Sequence, residues 1–146
     1  LSFTLIFFPL NIRDIKNTIK NFSRMNSHYE ATAKWMQKNI PPGELIYHPF
    51  WSDSPYFMCF NPKNNYISVL DPIYMFYRYP KEFLINKDLY EGRFQNPQEV
   101  LGEVFKVTYG YARKSNPLYA QIENDPAHFE ILYRDNGGAV FKLLKP

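Results

Sequence analysis

Twelve prolines punctuate the 146 residues, and six of them follow Ser, Asn or Asp: Pro55, Pro62, Pro72, Pro97, Pro117 and Pro126. Proline has no N–H to leave orphaned at a helix start, and a small polar residue before it can accept from the next free amides. Proline also ends whatever helix or central strand precedes it. The chain is thereby cut into short elements, and helices are expected to open at Pro55, Pro72, Pro97 and Pro117. Asn96-Pro97-Gln98-Glu99 strengthens its case with a glutamate placed to reach back to the first turn.

Two further helices follow from periodicity. Ser27-His28-Tyr29-Glu30 has the form of a capping box, and Tyr29, Ala33, Met36 and Ile40 then recur at helical spacing, so residues 28–39 predict a helix with one apolar face. Pro41-Pro42-Gly43 stops it. Residues 81–91 read the same way, with Phe83, Leu84 and Leu89 inward. Strands are expected over 45–48, 66–69, 105–111, 129–133 and 139–144, each rich in β-branched or aromatic residues. Asp135-Asn136-Gly137-Gly138 between the last two is a hairpin signal, because Asn-Gly tolerates the positive φ of a tight turn. Helices alternating with strands predict crossover connections. The expected class is α/β: a Rossmann-like sandwich, with a parallel-rich mixed sheet and a C-terminal antiparallel hairpin.

Composition sets the domain count and removes one class of partner. Apolar residues are 45% and charged residues 21%, ordinary values for a globular chain of one-domain length. The formal charge is +3, and residues 1–24 supply all of it through Arg13, Lys16, Lys20 and Arg24 against Asp14. The remainder is balanced, so no basic face is expected and nucleic acid is not a partner. Residues 1–10 are apolar but too few to span a bilayer, which takes about 20 residues. They fit either the stub of a membrane span or a buried strand; the apolar-then-basic order is the reverse of a signal peptide. The expected division is a leader over 1–24, a transmembrane stub with its juxtamembrane segment, and one α/β domain over 25–146.

Ligands of open α/β sheets bind beyond the carboxyl ends of the strands. His48, Trp51 and Asp53 follow the first expected strand, Asp71 the second and Arg113 the third. A histidine with two acids can bind a metal or move protons. The plainer reading is that Asp53 and Asp71 start helices and that a single histidine packs. His48, Trp51, Asp53, Asp71 and Arg113, with Tyr56, are therefore candidates for ligand binding, and no residue is assigned a catalytic role. His28, His48 and His128 lack metal-ligand spacing, and the six glycines form no phosphate-binding loop, so neither metal nor cofactor is expected. Cys59, within Tyr56-Phe57-Met58-Cys59-Phe60, reads as a packed thiol. The aromatic cluster Met75-Phe76-Tyr77-Arg78-Tyr79 reads first as core and second as a stacking or interfacial platform.

Three stretches together resemble a known kind of soluble tail. The helix over Ala33-Lys34-Trp35-Met36, followed by Asn39-Ile40-Pro41-Pro42-Gly43-Glu44 and a strand, is similar to a "helix, N-x-P-x-G-E, strand" opening. Tyr66-Ile67-Ser68-Val69-Leu70-Asp71-Pro72 resembles "Y-x-x-G-L-D-P", with Val69 where the pattern has Gly. Val104–Tyr109, Asp125-Pro126, Phe129–Asp135 and Ala139–Leu143 resemble "F-x-V-x-Y … D-P-x-F-x-x-V-Y-x-D … A-V-Y-x-L". Such tails close polytopic bacterial membrane proteins similar to the C-superfamily lipid-linked-sugar glycosyltransferases, the dolichyl-phosphate-mannose–protein mannosyltransferase kind. The resemblance implies a non-catalytic domain on the extracytoplasmic, periplasmic side of the cell membrane. Its partners would be the membrane and a glycan or lipid-linked sugar; the catalytic acids of such enzymes lie upstream of the tail. The alternative is a standalone ligand- or carbohydrate-binding domain.

Overall fold

A computed structural model describes residues 29–67 and 71–144. The leader over 1–24, the Ser27 side of the capping box and the 68–69 end of the second expected strand lie outside the described residues.

Five strands form one sheet in the order β2-β1-β3-β5-β4: β1 (Leu45–Tyr47), β2 (Asn65–Tyr66), β3 (Tyr109–Arg113), β4 (Phe129–Arg134) and β5 (Gly138–Leu143). β1 runs parallel to both β2 and β3, whereas β5 runs antiparallel to β3 and β4. The expected mixed α/β sheet forms, with a parallel half and a C-terminal antiparallel half. The helices are α1 (29–39), α2 (Ser54–Phe60), α3 (Pro72–Arg78), α4 (Pro80–Tyr90), α5 (Pro97–Glu99) and α6 (Pro117–Asn124). Proline stands in the first turn of α2 to α6, as the missing N–H favours.

Strand alternation divides the core into two layers. Ile46, Tyr111 and Val140 point to one face, where they meet Ala33 and Met36 of α1 and Phe57 of α2. Their neighbours Tyr47, Ala112, Ala139 and Phe141 point to the other, against Leu89 of α4 and Leu118 and Ile122 of α6. The sheet is apolar on both faces because helices cover both, as the parallel half requires. A buried side chain of Phe, Leu or Ile size contributes about 1.5–3 kcal/mol, so these two layers dominate the stability.

The third strand is displaced from its expected span of 105–111. Its first half is not strand: α5 continues into a single π turn, Val100–Val104, closed by Phe105 N–H donating to the Val100 carbonyl. Lys106 then adopts φ +53°, which an L residue rarely takes, and Val107 N–H turns back to the Leu101 carbonyl. The alternation of Phe105, Val107 and Tyr109 mimics a strand, yet Val107 is buried by this wrap rather than by a ladder. The hairpin at 135–138 forms without positive φ at Asn136, Gly137 or Gly138. The Asp135 carboxylate closes it instead, accepting from the N–H groups of Gly137 (2.7 Å) and Gly138 (2.9 Å).

Gly138 is required for its size. A Cβ there would stand 2.2 Å from the Ala112 carbonyl oxygen across the β3–β5 ladder and 2.8 Å from the Tyr111 hydroxyl. The carbonyl belongs to a paired strand and cannot retreat. Gly138→Ala is therefore expected to cost about 1–3 kcal/mol, read as a lower urea midpoint at unchanged m-value.

Candidate functional site

The carboxyl ends of β1 and β3 lie side by side, and the chain leaving each carries a charged or polar group back over the sheet. After β1, a short 3₁₀ turn over Trp51–Asp53 leads into α2 and puts Asp53 inside the protein. After four β3 residues, Arg113 reaches across to it. The two form an ion pair: the guanidinium Nη2 donates to Asp53 Oδ1, and Nε donates to Oδ2 at 3.3 Å. Nη2 also donates to the Ser52 hydroxyl at 3.1 Å.

Aromatic rings enclose the pair. The guanidinium carbon lies 4.3 Å from the centre of the Phe50 ring and 5.8 Å from that of Tyr29. Cation–π contact suits arginine because its guanidinium is flat and weakly hydrated. The Tyr29 hydroxyl donates a hydrogen bond to Asp53, and its ring stacks on Tyr56 at 5.1 Å. The Asp53 carboxyl is fully buried, and that burial pushes its pKa up; the Arg113 hydrogen bond and charge, then the Tyr29 hydrogen bond, pull it partly back. Burial, and next the Asp53 charge, pushes the Tyr29 phenol up as well.

His48 follows β1 directly and is also fully buried. Its Nδ1 lies 3.0 Å from the Phe50 carbonyl oxygen. A carbonyl only accepts, so Nδ1 carries the proton and Nε2 faces the Ser54 hydroxyl at 3.5 Å. Phe57 and Tyr66 close over the ring edge-on, with centroids at 5.6 and 5.7 Å. Burial drives the imidazole pKa down to about 4, so it is neutral at pH 7.

The structure thus gathers His48, Asp53, Arg113 and Tyr56 at one end of the sheet and separates the other two candidates from them. Asp71 is exposed, and its carboxylate caps α3 by accepting from Ile73 N–H at 2.9 Å. Asp53 departs from its expected helix-start role: it makes no side-chain cap on α2, because its oxygens are taken by Arg113. Trp51 has no contact with the pair among those described and lines an open cleft of about 180 Å³ with Phe50, Met75, Phe83, Lys87 and Tyr90. The floor of that region is fixed by Asn86, which accepts from the Tyr47 hydroxyl at 2.9 Å and donates to the Pro49 carbonyl at 3.2 Å.

Two expectations about apolar residues are corrected. Cys59 is exposed, since α2 turns it away from the sheet that covers Phe57. The cluster Met75–Tyr79 is not core: no residue of α3 is buried, because α3 packs mainly against α4 rather than on the sheet.

Residue-by-residue reading also misses a cleft of about 500 Å³ at the opposite end of the sheet. Gln98, Glu99 and Glu103 line it on one side, Lys106 and Thr108 on another, and His128 on a third. The His128 Nδ1 lies 2.8–2.9 Å from both Asp125 carboxylate oxygens. The Asp125–His128 spacing and the Glu99–Glu103 spacing were the available signals; the π turn that brings them together has none. Among the described residues, no group of three His, Cys, Asp or Glu side chains is arranged to hold a metal ion. Comparison with protein-family models, with curated proteins and with solved structures finds no match for this chain.

Proposed function

We propose that this chain is the extracytoplasmic C-terminal domain of a membrane protein resembling the lipid-linked-sugar glycosyltransferases, and that it serves that protein as a non-catalytic module. The observation that carries this reading is the mutual satisfaction of the carboxyl-end cluster. A general acid or base must come within about 2.6–3.2 Å of a substrate proton. Asp53 and His48 have no exposed surface, and their polar atoms already face Arg113, Tyr29, the Phe50 carbonyl and Ser54. Such a cluster joins β1, β3, α1 and α2; its work is positional. Trp51 is 43% exposed over its cleft and offers an indole face to a sugar ring of an acceptor or glycan.

The sequence supports the membrane side of the reading, through the tail-like motifs over 30–144 and the apolar-then-basic residues 1–24. The test uses the full chain with vesicles of phosphatidylcholine and phosphatidylglycerol, a polyprenyl-phosphate-linked sugar and an acceptor peptide. The chain is expected to sediment with the vesicles, keep its circular dichroism and transfer no sugar. Transfer that Asp53→Asn abolishes would overturn the non-catalytic reading, and a chain left in the supernatant would overturn the membrane reading.

A further inference from the structure

We propose that the cleft of about 500 Å³ beside the π turn binds a small zwitterion of dipeptide length, with an ammonium at one end and a carboxylate at the other. This site is separate from the Trp51 cleft and does not depend on the membrane reading. Its volume lies within the range of about 300–1,000 Å³ that small-molecule sites occupy. Val107, Leu143 and Leu144 give it an apolar lining suited to an aliphatic side chain, and the rest of the lining is largely polar or charged.

Charge of both signs meets in this cleft without cancelling. Glu99 and Glu103 come from the run of α5 into the π turn, and Lys106 from the chain that follows it. Among the described residues, Glu103 and Lys106 form no ion pair with each other or with a third group, so their charges stand more than 4 Å apart. The turn holds them so: the left-handed backbone of Lys106, φ +53°, reverses the chain between the two. A ligand with both charges satisfies both groups at once, which is electrostatic complementarity of the kind that selects a partner. Spacing sets its length. The two charges of a single α-amino acid sit on one carbon, too close to reach both groups, whereas each further residue adds about 3.5 Å. Glu99 Oε1 accepts from Asn96 Nδ2 at 3.0 Å, which orients that carboxylate beside the ammonium end. His128 is oriented as well. The Asp125 carboxylate, which only accepts, lies 2.8–2.9 Å from Nδ1, so Nδ1 carries the proton. Nε2 is the ring's other polar atom, an acceptor in the neutral ring that suits the peptide N–H between the two ends.

Titration of the full chain with alanyl-leucine, followed by the backbone amide signals in NMR spectra, tests the site. Saturable shifts are expected over 98–108, 128 and 143–144, with those of residues 50–54 unchanged. N-acetyl-alanyl-leucine lacks the ammonium and alanyl-leucine amide lacks the carboxylate; each is expected to bind several-fold more weakly, and the difference should shrink at high salt. Glu99, Glu103 and Lys106 are exposed, so their substitution leaves the fold intact. Glu99→Gln/Glu103→Gln is expected to lose the discrimination against the acetylated peptide, and Lys106→Gln the discrimination against the amide. No saturable shift up to about 10 mM would overturn the proposal. So would shifts centred on the Trp51 cleft, or equal binding of all three peptides. Tighter binding of the amide would overturn it in favour of a simple cation. None of these results bears on whether the chain sediments with vesicles.

Discussion

Arg113→Ala is expected to lower the unfolding free energy of the domain by about 3–5 kcal/mol, a large share of the roughly 5–15 kcal/mol a domain has. The loss comes less from the attraction removed than from what remains. Asp53 stays with no exposed surface, and its compensating charge is gone. Arg113 itself keeps about a quarter of its side chain in contact with solvent (27%), which places the expectation toward the lower end of that range. Its removal also opens a gap against the Phe50 and Tyr29 rings. The pH dependence has a definite sign. Burial already holds the Asp53 pKa above its ordinary value. A carboxyl raised in this way is most stable in the fold when protonated, so its contribution is present at low pH and is lost as pH rises through the raised value. Without Arg113 the pKa rises further, and the deficit of the variant should shrink on acidification. Urea titrations at pH 7 and pH 5 measure this. An Asp53→Leu/Arg113→Met pair should recover most of the loss, since apolar residues of similar volume often replace a buried pair at little cost. A deficit below about 1 kcal/mol for Arg113→Ala would mean that the pair behaves as a surface ion pair.

The parts of this fold that sequence reading captures are those set by local chemistry. Asn or Asp before proline orphans nothing at a helix start, so α3 and α6 begin where Asp71-Pro72 and Asn116-Pro117 place them. β4 and β5 follow their own alternation around Asp135–Gly138. What escapes is set by nonlocal geometry. Phe105 and Val107 keep strand-like alternation, but the π turn before them and the backbone at Lys106 fold that stretch against Leu101. Asp53 has the composition of a cap, and only the arrival of Arg113 from sixty residues away decides otherwise. Tyr29, Phe50 and Ser52 complete the cluster through ring faces and a hydroxyl that no spacing rule identifies. The aromatic run in α3 shows the same limit from the opposite side. Its composition suits a core or an interface equally, and exposure is a tertiary fact.

His48 alone is expected to remove about 3 kcal/mol of stability as the pH falls from 7 to 4. The magnitude follows from the imidazole pKa: burial lowers it from 6.5 to about 4, and each unit corresponds to about 1.4 kcal/mol. The sign follows from which state takes up the proton. The unfolded chain protonates His48 below about 6.5, while the folded protein refuses the proton until about 4. The stabilisation is therefore complete above the unfolded value and drains as pH falls through this window, with no further loss below it. Burial opposes the charged form most strongly; the Phe50 carbonyl, accepting from Nδ1–H, favours it and recovers only part of that cost, Phe57 and Tyr66 offer only ring contacts, and the nearby Arg113 charge adds repulsion. Asp53 contributes with the opposite sign, so the His48 component must be read as a difference between proteins. His48→Gln should be less stable than the parent at pH 7 and should converge with it near pH 4, because it has no proton to refuse. Parallel curves of unfolding free energy against pH would show that the imidazole is solvated in solution. The carboxyl end of β1 would then be open to a substrate, and the scaffold role assigned to the His48, Asp53 and Arg113 cluster would give way to a chemical one.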